Sequence, residues 1–180
     1  MYILAVATLY FVGFYANDVL LSNLEHHRGA NWIFLPAGLR LLGVLLLGSR
    51  GAIGIFLGSL LVVWNKVEPT AIGLIVEPMI SAGAPLLTYY LALRYGLSVE
   101  LKNLSAKRLL LLATFFAVTS ALIHSVWFVT QGVAESFASS FIAMFIGDLL
   151  GTTLVLYAIR AGLIFAGNRW QRSKHQSESD

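Results

Sequence analysis

The sequence predicts an all-α, polytopic membrane protein, and three observations support this fold class. Of the 180 residues, 58% are hydrophobic and only 12% are charged, which is about half the charged fraction of a typical soluble domain. The mean hydropathy is +0.78. Several apolar runs approach or exceed the roughly 20 residues that a helix needs to cross a hydrocarbon core of about 30 Å. We therefore expect a bundle of membrane helices.

Six apolar segments are predicted, and they cover residues 2–22, 32–47, 52–64, 71–95, 109–130 and 137–159. The second and third are short and meet at Gly48-Ser49-Arg50-Gly51, which predicts a tight helical hairpin. Pro78 and Pro85 predict a kink or a break in the fourth segment, because proline removes a backbone donor and clashes with the preceding turn.

The domain organisation is expected to be simple. The first apolar run has no basic region before it and is interpreted as a retained helix rather than a cleaved signal peptide. Residues 1–166 are predicted to form a single transmembrane domain. Residues 167–180 are polar, and we expect them to form a cytoplasmic tail that is too short to fold.

Lysine and arginine residues predict the orientation, because they concentrate in cytoplasmic loops. With the N-terminus inside, the outer loops hold Arg28 and Lys66. The inner loops and the tail then collect Arg50, Arg94, Lys102, Lys107, Arg108, Arg169, Arg172 and Lys174. Both termini are therefore expected in the cytoplasm, with the six helices crossing a bacterial inner membrane.

Several function classes are disfavoured by the composition and the motifs. The absence of cysteine excludes disulfides, thiolate metal sites and a cysteine nucleophile. The basic residues follow the loops rather than forming a patch, so nucleic acid is not an expected partner. No glycine-rich phosphate loop is present, and ATP binding by this chain is not expected. The sequence Glu25-His26-His27 could reach a metal ion, but adjacent histidines in a short loop are more often solvated, so no metal or other cofactor is predicted.

Catalytic motifs are incomplete. Gly147-Asp148 lacks the earlier glycine of the G-x-G-D signature of intramembrane aspartyl proteases. Gly58-Ser59 is not a nucleophile elbow, because Leu61 occupies the place of the last glycine. We expect a protein that is not an enzyme, and an intramembrane enzyme that uses Asp148 or His124 is the least favoured reading.

Ionisable residues inside the apolar segments are candidate functional residues, because charge is costly in the hydrocarbon core. Counting about 1.5 Å per helical residue places Arg40 and Asp148 near the middle of the membrane. The same count places Asp18, Glu77 and His124 roughly 7–9 Å towards the outer side. These residues predict one ligand-binding pocket, open to the outer face. The structural alternatives are an Arg40 pair with Asp148 or Glu77 that fixes helix packing, and a hydrogen-bonded packing role for His124. For Asp18 and Asn17, which lie close to a helix end, the alternative is simple exposure at the membrane interface.

Two glycine pairs predict close helix contacts. Gly54 and Gly58 are separated by three residues, as are Gly147 and Gly151. Such spacing creates a smooth helix face that another helix can approach closely. Packing within this chain is favoured over dimerisation.

The motifs around these residues resemble a known family. Leu35-Pro36-Ala37-Gly38-Leu39-Arg40 is followed by the Gly-Ser-Arg-Gly turn and by Gly54-Ile55-Phe56-Leu57-Gly58. Further on, an aromatic stretch, 141–145, precedes Gly147-Asp148-Leu149-Leu150-Gly151. Together these resemble the first class of bacterial membrane-associated sensor domains (MASE-type). The resemblance implies a multi-helix sensory module in which Arg40 and Asp148 occupy the family's polar positions, here in a minimal form without an output domain.

The expected function follows from the pocket and from the resemblance. We expect an inner-membrane sensory or regulatory protein that detects a small polar ligand or a partner membrane protein and relays the signal to a separate signalling protein. The alternative from another class is the substrate-binding membrane subunit of a multi-subunit vitamin or metal-ion importer. Such subunits have about this length and commonly six helices.

Overall fold

The computed structural model describes residues 1–27, 30–65, 70–96 and 105–177, and six α-helices make up most of them. The helices are α1 Tyr2–Leu21, α2 Leu35–Leu47, α3 Ser49–Trp64, α4 Gly73–Arg94, α5 Ala106–Thr130 and α6 Phe137–Ser177. The predicted all-α fold with six helices is confirmed. Arg28, Lys66 and Lys102, which contribute to the predicted orientation, lie outside the described residues.

Successive helices run in alternate directions. Gly54 of α3 packs against Val6, and Gly58 packs against Ala7, so α1 and α3 are parallel neighbours. Between α1 and α2, strands β1 Glu25–His27 and β2 Ala30–Asn31 pair in antiparallel fashion. We call the end of the bundle that carries these strands the hairpin end.

The opposite end, which we call the turn end, carries the connection between α2 and α3. Gly48 has a φ of 55° there, a conformation that glycine adopts at no steric cost. The hydroxyls of Ser49 and Tyr90 lie 3.1 Å apart, which places the start of α3 beside the last turns of α4. Because α2 ends at Leu47 and α3 begins at Ser49, with only Gly48 between them, the predicted tight helical hairpin is present.

Four helices are long and apolar enough to cross a membrane: α1, α4, α5 and α6 from Phe137 to Gly162. With 13 and 16 residues, α2 and α3 are about 20 and 24 Å long, which is shorter than a hydrocarbon core of about 30 Å. The structure is that of a membrane-type helical bundle. Six complete crossings and the orientation stay predictions.

The prolines of α4 do not break the helix. Of the predicted kink or break, the break is wrong and the kink stays a prediction. The helix runs without interruption from Gly73 to Arg94, with Pro78 and Pro85 buried inside it. Each proline removes one backbone hydrogen bond. Neighbouring helices enclose both sites, and their packing offsets that loss, as it commonly does in membrane helices.

The polar tail, residues 167–177, is part of the last helix. The 41 residues of α6 continue to Ser177, well beyond the apolar part that ends near Gly162. The expectation that this tail is too short to fold is therefore wrong. The costly step in forming a helix is its first turn, and an existing helix is extended at little cost.

Candidate functional site

Arg40 and Asp148 form a buried ion pair between α2 and α6. Nη2 of Arg40 donates to both carboxylate oxygens of Asp148, at 3.1 Å each, and each side chain is only 1% exposed. The guanidinium carbon lies 5.5 Å from the centre of the Phe34 ring and 5.4 Å from that of Phe116. Both distances are within the range of cation–π attraction. The pairing alternative for Arg40 is thus realised with Asp148.

Two glycines of α6 bring the chain before α2 against this helix. A β-carbon on Gly147 would overlap the carbonyl oxygen of Asn31, and one on Gly151 would overlap that of Phe34. The Phe34 amide donates to the Gly147 carbonyl, at 3.1 Å. The predicted neighbour of this glycine face was a helix, and the structure places there both the first turn of α2, where Gly38 approaches the Gly151 carbonyl, and the chain just before it. This close contact sets the first turn of α2 on α6 and brings the two charges together.

Asn17 of α1 supplies an acceptor for the start of α2. The Leu35 amide donates to Oδ1 of Asn17, at 2.9 Å, and Asn17 is 2% exposed. The first amides of a helix have no partner within the helix, so this bond satisfies a partly buried donor. The sequence could not indicate the role, because the capping residue comes from another helix.

We expect Asn17→Ala to lower the free energy of unfolding by about 1–2 kcal/mol, because the Leu35 amide would lose its acceptor. Thermal and denaturant unfolding of the purified protein in one detergent would measure the change. Asp18→Ala is the matched control, since the neighbouring Asp18 is exposed and should change stability by less than about 0.5 kcal/mol. Equal losses in both variants would contradict the capping role.

On the α5 side, a polar chain extends the ion pair to His124. The Ser120 hydroxyl hydrogen-bonds to the Asp148 carboxylate and lies 3.4 Å from Nδ1 of His124. The same Nδ1 is 2.9 Å from the Ser120 carbonyl oxygen. A carbonyl oxygen can only accept, so we assign the proton in that contact to Nδ1. The hydrogen-bonded packing role of His124 is present.

A cavity of about 310 Å³ lies next to the ion pair, at the lower end of the range for small-molecule sites. Arg40, Asp18, Glu77 and His124 line it. Asp148 lies behind Arg40. The structure therefore brings the five residues predicted for ligand binding into one region, although their role as ligand contacts stays a prediction. Five aromatic residues also line the cavity: Tyr10, Phe14, Tyr15, Phe34 and Phe128.

Charge is distributed unevenly around this cavity. Asp18 and Glu25 are exposed and Glu77 is half-buried, whereas Arg40 is buried. Carboxylates therefore stand at the open side of the cavity, near the hairpin end, and the guanidinium stands at its inner wall. Among the described residues, no group of three histidine or acidic side chains is arranged to hold a metal ion.

The cavity also contains a hydroxyl cluster that the sequence did not single out. The Tyr10 hydroxyl is hydrogen-bonded with Ser59 and Ser81, and all three side chains are buried and line the cavity. They come from α1, α3 and α4. In the sequence, Ser59 attracts notice only as part of an incomplete nucleophile elbow. The hydroxyl cluster arises because Gly58 lets α1 approach α3 closely enough for Tyr10 to reach Ser59.

Both hydrogen bonds of the ion pair come from Nη2 of Arg40, so they do not use the other donors of the guanidinium. No acceptor for its Nε–H is found in the described part of the chain, and the residue lines the cavity. Its charge is balanced by Asp148, so the group can donate hydrogen bonds without presenting an uncompensated positive charge. The arrangement suits a small polar molecule that carries hydrogen-bond acceptors.

The fold and the site together define a helical bundle with four candidate membrane spans and a polar cavity backed by a buried ion pair. Compared with known proteins, the chain matches no protein-family model, no curated protein and no solved structure. The resemblance to the sensor domains stays a hypothesis.

Proposed function

We propose that this is a non-enzymatic sensory or regulatory membrane protein whose cavity binds a small polar ligand. The observation that carries the proposal is that Arg40, held in a buried ion pair with Asp148, lines the inner wall of an open cavity. A buried ion pair contributes little net stability, and charged residues within membrane segments usually mark functional paths. A ligand that accepts a hydrogen bond from Arg40 would compete with Asp148 for the guanidinium.

The last helix provides a route from the cavity to a separate signalling protein. Asp148 lies within α6, and the same helix continues without interruption to Ser177, beyond the apolar part that ends near Gly162. A change at the ion pair would shift α6 against α2 and move its distal turns. Such a shift requires that the ligand bind the two arrangements with different free energies. In the proposed orientation, those distal turns lie in the cytoplasm of a bacterial cell.

The first test replaces Glu77, one of the carboxylates at the open side of the cavity. Wild type, Glu77→Gln and Glu135→Gln would be purified from native membranes, and the small molecules they retain would be quantified by mass spectrometry. Glu135 is the control, because it is exposed at the same end of the bundle and does not line the cavity. We expect a polar compound on wild type and on Glu135→Gln, reduced at least about ten-fold on Glu77→Gln, the loss expected for one charge-assisted hydrogen bond.

Two results would overturn the ligand-binding role. One is equal retention by all three proteins. The other is retention no greater than that of an unrelated membrane protein prepared in the same way.

The second candidate, the membrane subunit of an importer, uses the same cavity as a transport site. It is favoured by the size of the cavity, which can hold a whole small molecule. Crosslinking in cells before purification distinguishes the two. A co-purified kinase or cyclase supports the sensory role, whereas a pair of ATPases together with a retained ligand supports the importer.

A further inference from the structure

A second hollow, of about 300 Å³, lies between α4 and α5 at the turn end. Its floor contains Ala92 and Leu112, which are 4% and 2% exposed. Its sides include Tyr95, Leu111 and Phe115, which are 77%, 56% and 43% exposed. Because these side residues are exposed on the outer surface of the bundle, the hollow opens sideways, towards the hydrocarbon of a surrounding bilayer.

The lining of this hollow is apolar throughout most of its length. Its α4 side is formed by residues spaced as one helix face, from Thr88 through Leu91 and Ala92 to Tyr95. The Thr88 hydroxyl donates to the Ala84 carbonyl, at 3.0 Å, so this polar atom is satisfied within its own helix. The spacing from Thr88 to Tyr95 corresponds to about 10 Å along the helix, enough for a segment of an extended hydrocarbon chain.

Three basic residues stand at the turn end of the hollow. Arg94 ends α4, and Lys107 and Arg108 begin α5; all three are exposed. Arg108 precedes Leu111 and Leu112 by three and four residues, so it lies on the helix face that lines the hollow.

The carboxylates that the structure describes are elsewhere. Asp148 is paired inside the bundle. Asp18, Glu25, Glu77 and Glu135 lie towards the hairpin end. Within the described residues, the turn end of this hollow is therefore basic without a neighbouring acid.

We propose that this groove binds one anionic phospholipid, with an acyl chain in the hollow and the phosphate among Arg94, Lys107 and Arg108. An apolar hollow open to the bilayer accommodates an acyl chain, and arginine binds phosphate with strong charge-assisted hydrogen bonds. Basic residues next to membrane helices attract anionic lipids. Tyr95 lies at the boundary between the apolar and basic parts, where tyrosine is favoured. The site is separate from the ligand cavity and does not depend on the proposed function.

The test measures lipid binding to the full-length protein after delipidation in a mild detergent. Phosphatidylglycerol and phosphatidylethanolamine with identical acyl chains would be titrated separately, and bound lipid would be counted by native mass spectrometry. We expect one phosphatidylglycerol to bind at least about ten-fold more tightly than phosphatidylethanolamine. Equal binding of the two lipids would overturn the proposal.

Substitution of the basic residues tests the headgroup contacts. Arg94→Gln/Arg108→Gln should weaken phosphatidylglycerol binding about 25-fold, or about five-fold for each charge. Arg94→Lys/Arg108→Lys, which keeps both charges, should retain most of it. Arg50→Gln is the matched control, because Arg50 is exposed at the same end but lies beside Ser49, which contacts the other side of α4 through Tyr90. Unchanged binding in the glutamine double variant, or an equal loss in the Arg50 control, would refute the headgroup site.

Filling the hollow tests the acyl-chain contacts separately. Leu111→Trp should weaken binding of both lipids at least about five-fold, because the larger ring occupies the groove. Leu110→Trp is the control, since Leu110 is similarly exposed, at 46%, and does not line the hollow. If Leu111→Trp binds phosphatidylglycerol as wild type does, the lipid is held by charge alone and the groove is not its site.

Discussion

Arg40→Ala and Asp148→Ala are each expected to destabilise the protein by about 3–5 kcal/mol, the largest effects predicted here. Each substitution removes one member of a pair whose side chains are 1% exposed and leaves the other charge buried without compensation. Unfolding in detergent, together with the yield of folded protein, would measure the loss. Arg50→Ala serves as the control, because Arg50 is exposed at the turn end and should change stability by less than about 0.5 kcal/mol.

The double variant Arg40→Met/Asp148→Leu separates stability from function. Replacing a buried ion pair by apolar side chains of similar size is often neutral or stabilising, so we expect this variant to recover most of the stability that each single substitution loses. It should still fail to retain the small polar ligand, because the Arg40 donor is gone. Losses below about 1 kcal/mol in the single variants would contradict the buried pair. A folded double variant that retains the ligand normally would show that the pair only holds the helices together.

Gly151→Ala is expected to have the second large effect. It should lower the free energy of unfolding by about 1–3 kcal/mol, the range for overpacking. The new β-carbon would overlap the backbone carbonyl of Phe34, and backbone moves less readily than a flexible side chain. The segment before α2 would have to lift away from α6. Because this segment leads directly into the first turn of α2, we also expect weaker ligand retention.

Gly162→Ala is the control on the same helix. A β-carbon there would have no neighbour within 4 Å, so the substitution should be neutral or stabilise the helix by about 0.5–1 kcal/mol through its higher helix propensity. Unfolding of both variants in the same detergent gives the comparison. Similar stability of Gly151→Ala and Gly162→Ala would show that the contact with Phe34 is not tight.

Much of the fold could be predicted from local patterns. Apart from the end of α6, the six apolar segments have bounds within three residues of the helices, because long apolar runs favour helices wherever they are placed. A partner for Arg40 could be anticipated for an energetic reason, since a charge in an apolar helix requires one. The sequence left Asp148 and Glu77 as alternatives, and the structure pairs Arg40 with Asp148. The estimated depth along each helix then placed Asp18, Glu77 and His124 towards the outer side of the membrane. The structure brings the three residues to one cavity.

The errors arose where distant parts of the chain decide the local structure. Proline normally ends or kinks a helix. Yet α4 continues through Pro78 and Pro85, because buried packing compensates for the lost hydrogen bonds. The segment 167–177 is polar, yet it is helical because α6 already provides the turns on which it builds.

The sequence by itself determined the class of protein, the number of helices and the candidate charged residues within the apolar segments, because hydrophobicity and the cost of burying a charge are properties of individual residues and short segments. Only the tertiary structure decided how those parts meet. Arg40 and Asp148 are 108 residues apart in the chain, and Asn17 and Leu35 are 18 apart. The Arg40–Asp148 contact depends on the close approach that Gly147 and Gly151 permit between α6 and the start of α2. How two surfaces fit together cannot be derived from either segment alone.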